Sequence, residues 1–451
     1  MIKTFFQKLA IKAILKRLPN ASDKNIIRIL KLAKRLTSKK YKKVVKFVIK
    51  KMEQNHPSLH LFKYILFNLN PNCRDKLAIN LFINSLLIGA KTRERYKEIY
   101  GYPPPYLMVI SPTMKCNLKC IGCYAGMYQQ KEDLDFETVD RILTEVKEKL
   151  GIYFVTISGG EPFVWPHLFD IFKKHNDVYF QVYTNGTLIT EEIAKKLAEV
   201  GNAACAISVE GFEKETDQRR GKGVYNKVLK AMKNLKEAGV LFGFSATPTR
   251  YNTNIIVSDE FVDFYINKGC TFGWYFQYIP IGLKPDILLM ATPEQRQYLR
   301  KRIKEMRKTK RIFFGDFWND GPFVGGCMAG ASHHGRGSYF HINCNGDVEP
   351  CVFVHFAVDN IKNKSLIEAL NSDFFKAIRN EQPYTENLLR PCMIIDNPNI
   401  LRNVVKKCNA KPTHHGADSV INDTKIIKHL DEYSKKMAEL TEPIWEKEYK
   451  S

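Results

Sequence analysis

Cys116, Cys120 and Cys123 fall within eight residues, in the run Cys116-Asn-Leu-Lys-Cys120-Ile-Gly-Cys123-Tyr124. That spacing makes a tight loop able to aim three thiolates at one point. The number three is informative. A structural zinc or a simple electron-transfer cluster takes four protein ligands, whereas a cluster held by three cysteines leaves one iron open to a small molecule. A zinc knuckle with a distant fourth ligand is the competing reading of the same spacing.

The apolar runs that follow end in groups suited to hold a nucleoside and an amino acid beside such an iron. Ser158-Gly159-Gly160-Glu161-Pro162 joins glycines, which let a backbone approach a ligand, to a carboxylate that can accept from an ammonium group. Thr184-Asn185-Gly186 ends the next run. Ser208-Val209-Glu210-Gly211 then places a hydroxyl and a carboxylate at ribose height, and Arg219-Arg220-Gly221-Lys222-Gly223 supplies cations able to pair a carboxylate. Each group alone is an ordinary turn or a solvated charge. In order, at the ends of successive strands, they are specific.

The elements that must carry these groups are legible. Leu107–Ser111, Tyr153–Ser158, Tyr179–Thr184, Cys205–Val209, Phe242–Thr247 and Phe272–Ile279 read as six strands. Phe136–Leu150, Glu191–Val200 and Tyr225–Ala238 supply helices of crossover length. Such alternation implies an α/β fold with a parallel sheet, curled by right-handed connections into a partial (β/α)6 TIM-like barrel with its chemistry at the strand C-termini.

Four regions are expected: a basic helical arm over 1–105, the barrel over 106–314, a cysteine-dependent module over 315–421, and a charged helical tail over 422–451. Residues 1–100 contain 24 Lys and Arg against 5 Asp and Glu, so +19 of the chain's +23 lies there. One helix is expected from Ser22 or Asp23 through Ile26, Ile29, Leu30 and Ala33. A second carries Val44, Val45, Val48, Ile49 and Met52 as an apolar stripe among lysines. The basic residues scattered through Met1–Leu18 leave no signal-peptide core, and the uncharged run Leu77–Ala90 is too short to span a bilayer. A cytoplasmic protein, peripheral at the inner face of the membrane through the arm, is expected. No groove-reading or base-stacking motif points to nucleic acid.

Taken together, the Cys-x3-Cys-x2-Cys loop and the Gly-Gly-Glu resemble the radical S-adenosylmethionine superfamily over roughly Tyr106 to Thr292. The resemblance implies that Cys116, Cys120 and Cys123 ligate a [4Fe–4S] cluster, with Tyr124 the aromatic residue after the last cysteine. It implies that Gly159, Gly160 and Glu161 meet the methionine amino group, that Thr184 and Asn185 also bound the cofactor, that Ser208 meets the ribose, and that Arg220 or Arg219 meets the carboxylate. A reductant such as flavodoxin or ferredoxin would deliver one electron, and cleavage of S-adenosylmethionine would yield a 5′-deoxyadenosyl radical that abstracts hydrogen. Cys327, Gly346-Asp-Val-Glu-Pro-Cys351 and Cys392 resemble a truncated SPASM or Twitch extension. This implies one auxiliary cluster on Cys327, Cys351 and Cys392, with Cys344 the leading fourth ligand and Cys408 the next; zinc or unligated thiols are the alternative.

Cys73, Cys205 and Cys270 read as core. His333-His334 and His414-His415 read as surface or hydrogen-bonded residues. The basic arm favours a lipid or membrane-proximal substrate; peptide or protein modification, and a non-catalytic iron–sulfur electron-transfer or sensor protein, are the alternatives.

Overall fold

A computed structural model describes residues 56–128, 133–331 and 338–450, with isolated positions between 25 and 54. Ser22, Asp23, Ile26, Ile29, Leu30 and Ala33 of the first expected helix, the stripe residues Val44, Val45, Val48 and Met52, and His333-His334 lie outside the described residues.

All six expected strands form: β1 (Leu107–Ile110), β2 (Phe154–Ile157), β3 (Tyr179–Thr184), β4 (Ala203–Val209), β5 (Phe242–Ala246) and β6 (Phe272–Tyr275). They pair in parallel in sequence order. Alternation along each strand separates the two faces. In β2, Val155 and Ile157 enter the core beneath the outer helices, while Phe154 and Thr156 face inward.

The sheet does not stop where the barrel was expected to end. β7 (Phe313–Asp316) pairs in parallel with β6, and β8 (Tyr339–Ile342) pairs in parallel with β1 on the opposite side. β9 (Val348–Glu349) returns antiparallel to β8. The order β7-β6-β5-β4-β3-β2-β1-β8-β9 is an open, curled sheet, so the region from 315 onward shares hydrogen bonds with the strand that leads into the cysteine loop.

The outer helices follow from their caps and stripes. Phe136–Leu150 starts where the Asp135 side chain accepts the Thr138 N–H at 2.6 Å and stops at Gly151, whose φ of 65° lies in the left-handed region. Its Val139, Ile142, Leu143, Val146 and Leu150 fill one face of the barrel core. Glu191–Val200 is capped by Thr190 and ended by Gly201 in the same way.

Residues 57–100 are helical and close the barrel's N-terminal end. The uncharged run forms a π-helix over Ala78–Ile88. Its Asn80 and Asn84 side chains donate to the carbonyls of Val178 and Asp177 at the start of β3. Among the described residues no helix is long and apolar enough to cross a membrane. At the other end of the chain, Thr424–Glu448 is one helix, whose Leu430, Tyr433 and Met437 bury into a second core together with Val109, Tyr339 and Cys351.

Candidate active site

The loop after β1 is held from both sides. The Ile121 N–H donates to the Arg219 carbonyl at 2.9 Å, and Arg219 Nε donates back to the Ile121 carbonyl at 3.3 Å. Asn185 Nδ2 donates to Asn117 Oδ1 at 2.8 Å and points to Cys116 Sγ at 3.8 Å. Arg220 Nη1 stands 4.0 Å from Cys120 Sγ, with its other nitrogens on the buried Glu210 carboxylate at 2.5 and 2.8 Å. The end of β3 and the helix Glu213–Arg220 that follows β4 therefore clamp the loop and set a guanidinium beside a thiol.

Gly159 and Gly160 serve this loop directly. The Gly160 and Glu161 N–H groups donate to the Thr113 and Lys115 carbonyls at 3.0 and 2.9 Å. A Cβ on Gly160 would fall 2.3 Å from the Lys115 carbonyl oxygen and 2.5 Å from that of Met114. Close backbone approach, expected toward a ligand, is made here toward the residues that precede Cys116. Gly160→Ala is expected to cost on the order of 1–3 kcal/mol through this overpacking, read as a lower urea midpoint with an unchanged slope.

All the residues expected to hold the cofactor, except Glu161, line one cavity of about 630 Å³. Cys116, Cys120, Cys123 and Tyr124 form its floor, the Tyr124 hydroxyl lying 2.7 Å from Ser158 Oγ. Gly159, Gly160, Thr184, Asn185 and Ser208 form the strand-end wall, with Arg219 and Arg220 beside them. Glu161 is turned away and fully buried. Its carboxylate accepts from Thr184 Oγ1 at 2.8 Å, the Asn185 N–H at 2.8 Å and the Phe163 N–H at 3.2 Å. Burial pushes its pKa up to about 7 against those three donors. It ties the end of β2 to that of β3. Glu210, expected at ribose height, instead lies beneath both arginines.

The thiols fit iron. Burial raises Cys116 to about 11 and raises Cys123 as well, and a metal bound here would displace the thiol protons. The Leu118 N–H donates to Cys116 Sγ at 3.4 Å, a contact that suits a charged thiolate. Among the described residues no group of three or more His, Cys, Asp or Glu side chains is gathered around a single point. A polynuclear cluster spreads its thiolates over separate irons.

Cys327, Cys351 and Cys392 form a second group in the same core; burial raises the pKa of all three, and Cys392 and Cys351 raise that of Cys327 further. Cys344 is not brought to them: it packs with Met114, Ala125 and Tyr128 beside the first loop. Cys408 sits apart, against the Asp373 carbonyl. Cys73, Cys205 and Cys270 are buried in the barrel core. His414 is buried too, its Nε2 against His355 Nδ1.

The far wall of the cavity was not anticipated from the sequence. Rings of Trp274, Phe276, Phe317 and Phe353 line it, Phe276 lying 5.2 Å from Phe317 and 6.5 Å from Phe353, and Phe353 lying 5.3 Å from Tyr124. Asp316 and Gln277 interrupt this surface; burial and Asp320 raise the Asp316 pKa, and Gln277 Nε2 is buried without a partner. The available signal was the run Ile312-Phe313-Phe314-Gly315-Asp316, apolar residues followed by a polar strand end as in Ile157-Ser158.

Comparison with known proteins follows this geometry. The Radical SAM superfamily matches residues 110–256, and the SPASM iron-sulfur cluster-binding domain matches residues 334–393. The mycofactocin maturase MftC of Mycobacterium tuberculosis is 27% identical over 294 residues, covering 62% of this chain and 74% of that protein. The AdoMet-dependent heme synthase of Oleidesulfovibrio alaskensis is 22% identical over 315 residues, covering 63% and 79%. The fold resembles that of Streptococcus suis SuiB bound to S-adenosylmethionine, with a TM-score of 0.56 at 19% identity over 74% of this chain and 86% of that one. SuiB has also been solved with its precursor peptide SuiA.

Proposed function

We propose that this chain, which belongs to the radical S-adenosylmethionine superfamily and carries a SPASM domain, takes hydrogen from a C–H-rich group of a lipid or other membrane-proximal substrate. It is an enzyme whose cofactors are a [4Fe–4S] cluster and S-adenosylmethionine, with auxiliary iron–sulfur binding in the SPASM domain. Bound together, the cluster and S-adenosylmethionine supply one-electron cleavage of a sulfonium and a carbon radical able to attack an unactivated C–H bond.

The protein's part is to orient and to exclude. In this reading Cys116, Cys120 and Cys123 hold the cluster, Gly159, Gly160, Thr184 and Asn185 border the amino-acid end of the cofactor, Ser208 meets the ribose, and Arg219 and Arg220 supply charge for the carboxylate. Glu161 is a positioning residue behind them. The aromatic wall is the observation that carries the substrate reading: it offers apolar surface to a C–H-rich group in the same cavity as the cysteine loop. In this reading the buried Gln277 Nε2, without a protein partner, donates to a substrate oxygen.

The charge of the first 56 residues, 17 Lys and Arg against 2 Asp and Glu, supports docking on an anionic bilayer, where each cation adds about 1 kcal/mol. In this reading the enzyme works peripherally at the inner face of the membrane and is reduced by a flavodoxin or ferredoxin. A peptide substrate is the second reading, favoured by the peptide-bound form of SuiB.

Anaerobically reconstituted protein, given dithionite and S-adenosylmethionine, tests both. The protein is expected to sediment with anionic vesicles at low salt and to lose that binding at high salt or without residues 1–56. Its 5′-deoxyadenosine release should rise when those vesicles carry a membrane lipid extract. A rise with a cellular peptide fraction alone would establish the second reading; indifference to vesicles removes the first.

A further inference from the structure

Cys351 differs from the other two cysteines of the second group in what reaches its sulfur. Cys327, Cys351 and Cys392 each accept the backbone N–H two residues on, from Ala329, Phe353 and Ile394 at 3.4, 3.4 and 3.3 Å. Cys351 Sγ has a further neighbour, the Tyr339 hydroxyl, 2.8 Å away. A thiol can give or take the proton in that contact. A thiolate on iron has no proton to give, so with metal bound the phenol must donate. Both residues are buried, Tyr339 with 2% of its surface exposed, and a hydrogen bond to a charged sulfur is strong in such surroundings.

The backbone fixes Tyr339 for this contact. It opens β8, where it pairs with Leu107 of β1. Its N–H donates to the Met328 carbonyl at 2.7 Å and its carbonyl accepts the Ala331 N–H at 3.1 Å, which ties the strand to the segment that follows Cys327. Its ring meets the Phe317 ring edge-on at 5.8 Å. Tyr339 also lines the large cavity, together with Met328, which follows Cys327, and with Val352 and Phe353, which follow Cys351. The residue therefore borders the cavity of the first cysteine loop and touches the second cysteine group at once.

We propose that Tyr339 is a positioning residue of the second site, whose hydroxyl, hydrogen-bonded to the Cys351 thiolate, raises the reduction potential of the auxiliary cluster. Reduction adds negative charge to the cluster, and a donor aimed at a ligand sulfur stabilises the reduced form more than the oxidised one. The phenol keeps its proton and makes no bond to iron. Because the same side chain walls the cavity, the potential of the second site is set by a group that a substrate can touch. The inference rests on the second cysteine group holding an iron–sulfur cluster through Cys351.

The test uses the full-length chain carrying Cys116→Ala, Cys120→Ala and Cys123→Ala, reconstituted with iron and sulfide so that only the second site reports. About four irons per chain are expected, by the count of one [4Fe–4S] cluster, and adding Cys351→Ala should lower that count sharply. Tyr339→Phe keeps the ring and removes only the hydroxyl. It should keep the iron and shift the cluster's midpoint, followed by electron paramagnetic resonance through a redox titration, to lower potential. After exchange into deuterium oxide, the reduced parent cluster should show an exchangeable coupling that Tyr339→Phe lacks. Phe374→Leu, a change to a fully buried ring of the same core that bears no hydroxyl, should leave the midpoint in place. An unshifted or raised midpoint in Tyr339→Phe overturns the proposal, and so does an equal downward shift in Phe374→Leu or an exchangeable coupling that survives Tyr339→Phe unchanged. Loss of iron on Tyr339→Phe overturns it too, since the hydroxyl would then hold the cluster rather than tune it. Absence of iron from the background variant, or iron indifferent to Cys351→Ala, overturns the underlying reading instead.

Discussion

Replacing Cys120 by Ala is expected to abolish release of 5′-deoxyadenosine and to lower iron from roughly eight to roughly four per chain, counting four for each cluster. The loop has no spare ligand. Cys116 is fixed by Asn117 and Asn185, and the segment around Cys120 is fixed by the Arg219 backbone, so no neighbouring thiol can move in to replace a lost one. Cys344 packs close to Cys123, but it hangs from β8 and its sulfur is engaged with Asn345. Cys270→Ala, a cavity in the barrel core far from the loop, should cost some stability and leave both iron and product release in place. Product release from the Cys120 variant at the parent's rate would mean that the loop is not the site of cleavage.

The second large effect is expected at a position that touches no cofactor. Arg296 and Asp396 are both fully buried and paired at 2.5 and 3.1 Å, joining the helix Pro293–Thr309 to the turn after Cys392. Asp396 Oδ2 also accepts the Cys392 N–H at 3.0 Å, and the Arg296 guanidinium donates to the Leu389 carbonyl at 3.0 Å. Asp396→Ala strands a guanidinium without its counter-charge, which costs about 3–5 kcal/mol, and frees the peptide that sets the Cys392 sulfur. A large fall in the denaturation midpoint and loss of the second site's iron should appear together. Replacing both partners, Arg296→Met with Asp396→Leu, should recover much of the stability and none of the iron, because burial is restored while the Cys392 turn is not. Equal recovery of both would show that the pair holds the fold alone.

Much of this was legible because it is local. Phe136–Leu150 and Glu191–Val200, expected as crossover helices between the strands, form at those bounds, and the six strands need only short apolar runs with polar ends. The groups at strand ends converge because parallel strands deliver all their C-termini to one side. What could not be read depends on pairings across the chain. β7 and β8 are four residues each, and nothing nearby says that they extend the same sheet at its two ends. Glu161 and Glu210 looked like ligand groups because a carboxylate at a strand end has no visible partner in the sequence. Their partners, Thr184 and Asn185 for one and Arg219 and Arg220 for the other, arrive through the fold. Cys344 was the leading fourth candidate beside Cys351, but the turn between β8 and β9 sends the two sulfurs to different cores.

The pairing of β8 with β1 bears on the order of events during synthesis. Ser111, at the mouth of the cysteine loop, holds His341 by a 2.8 Å hydrogen bond between its Oγ and Nε2, and the two residues are 230 positions apart. At roughly 5–20 residues per second, the ribosome needs on the order of ten to fifty seconds to make the intervening chain. Through that interval β1 has an unpaired edge, and the three thiols emerge long before their surroundings exist. Metallation of the first site is therefore expected only once β8 has been made, and nascent chains stalled before residue 342 should carry neither cluster.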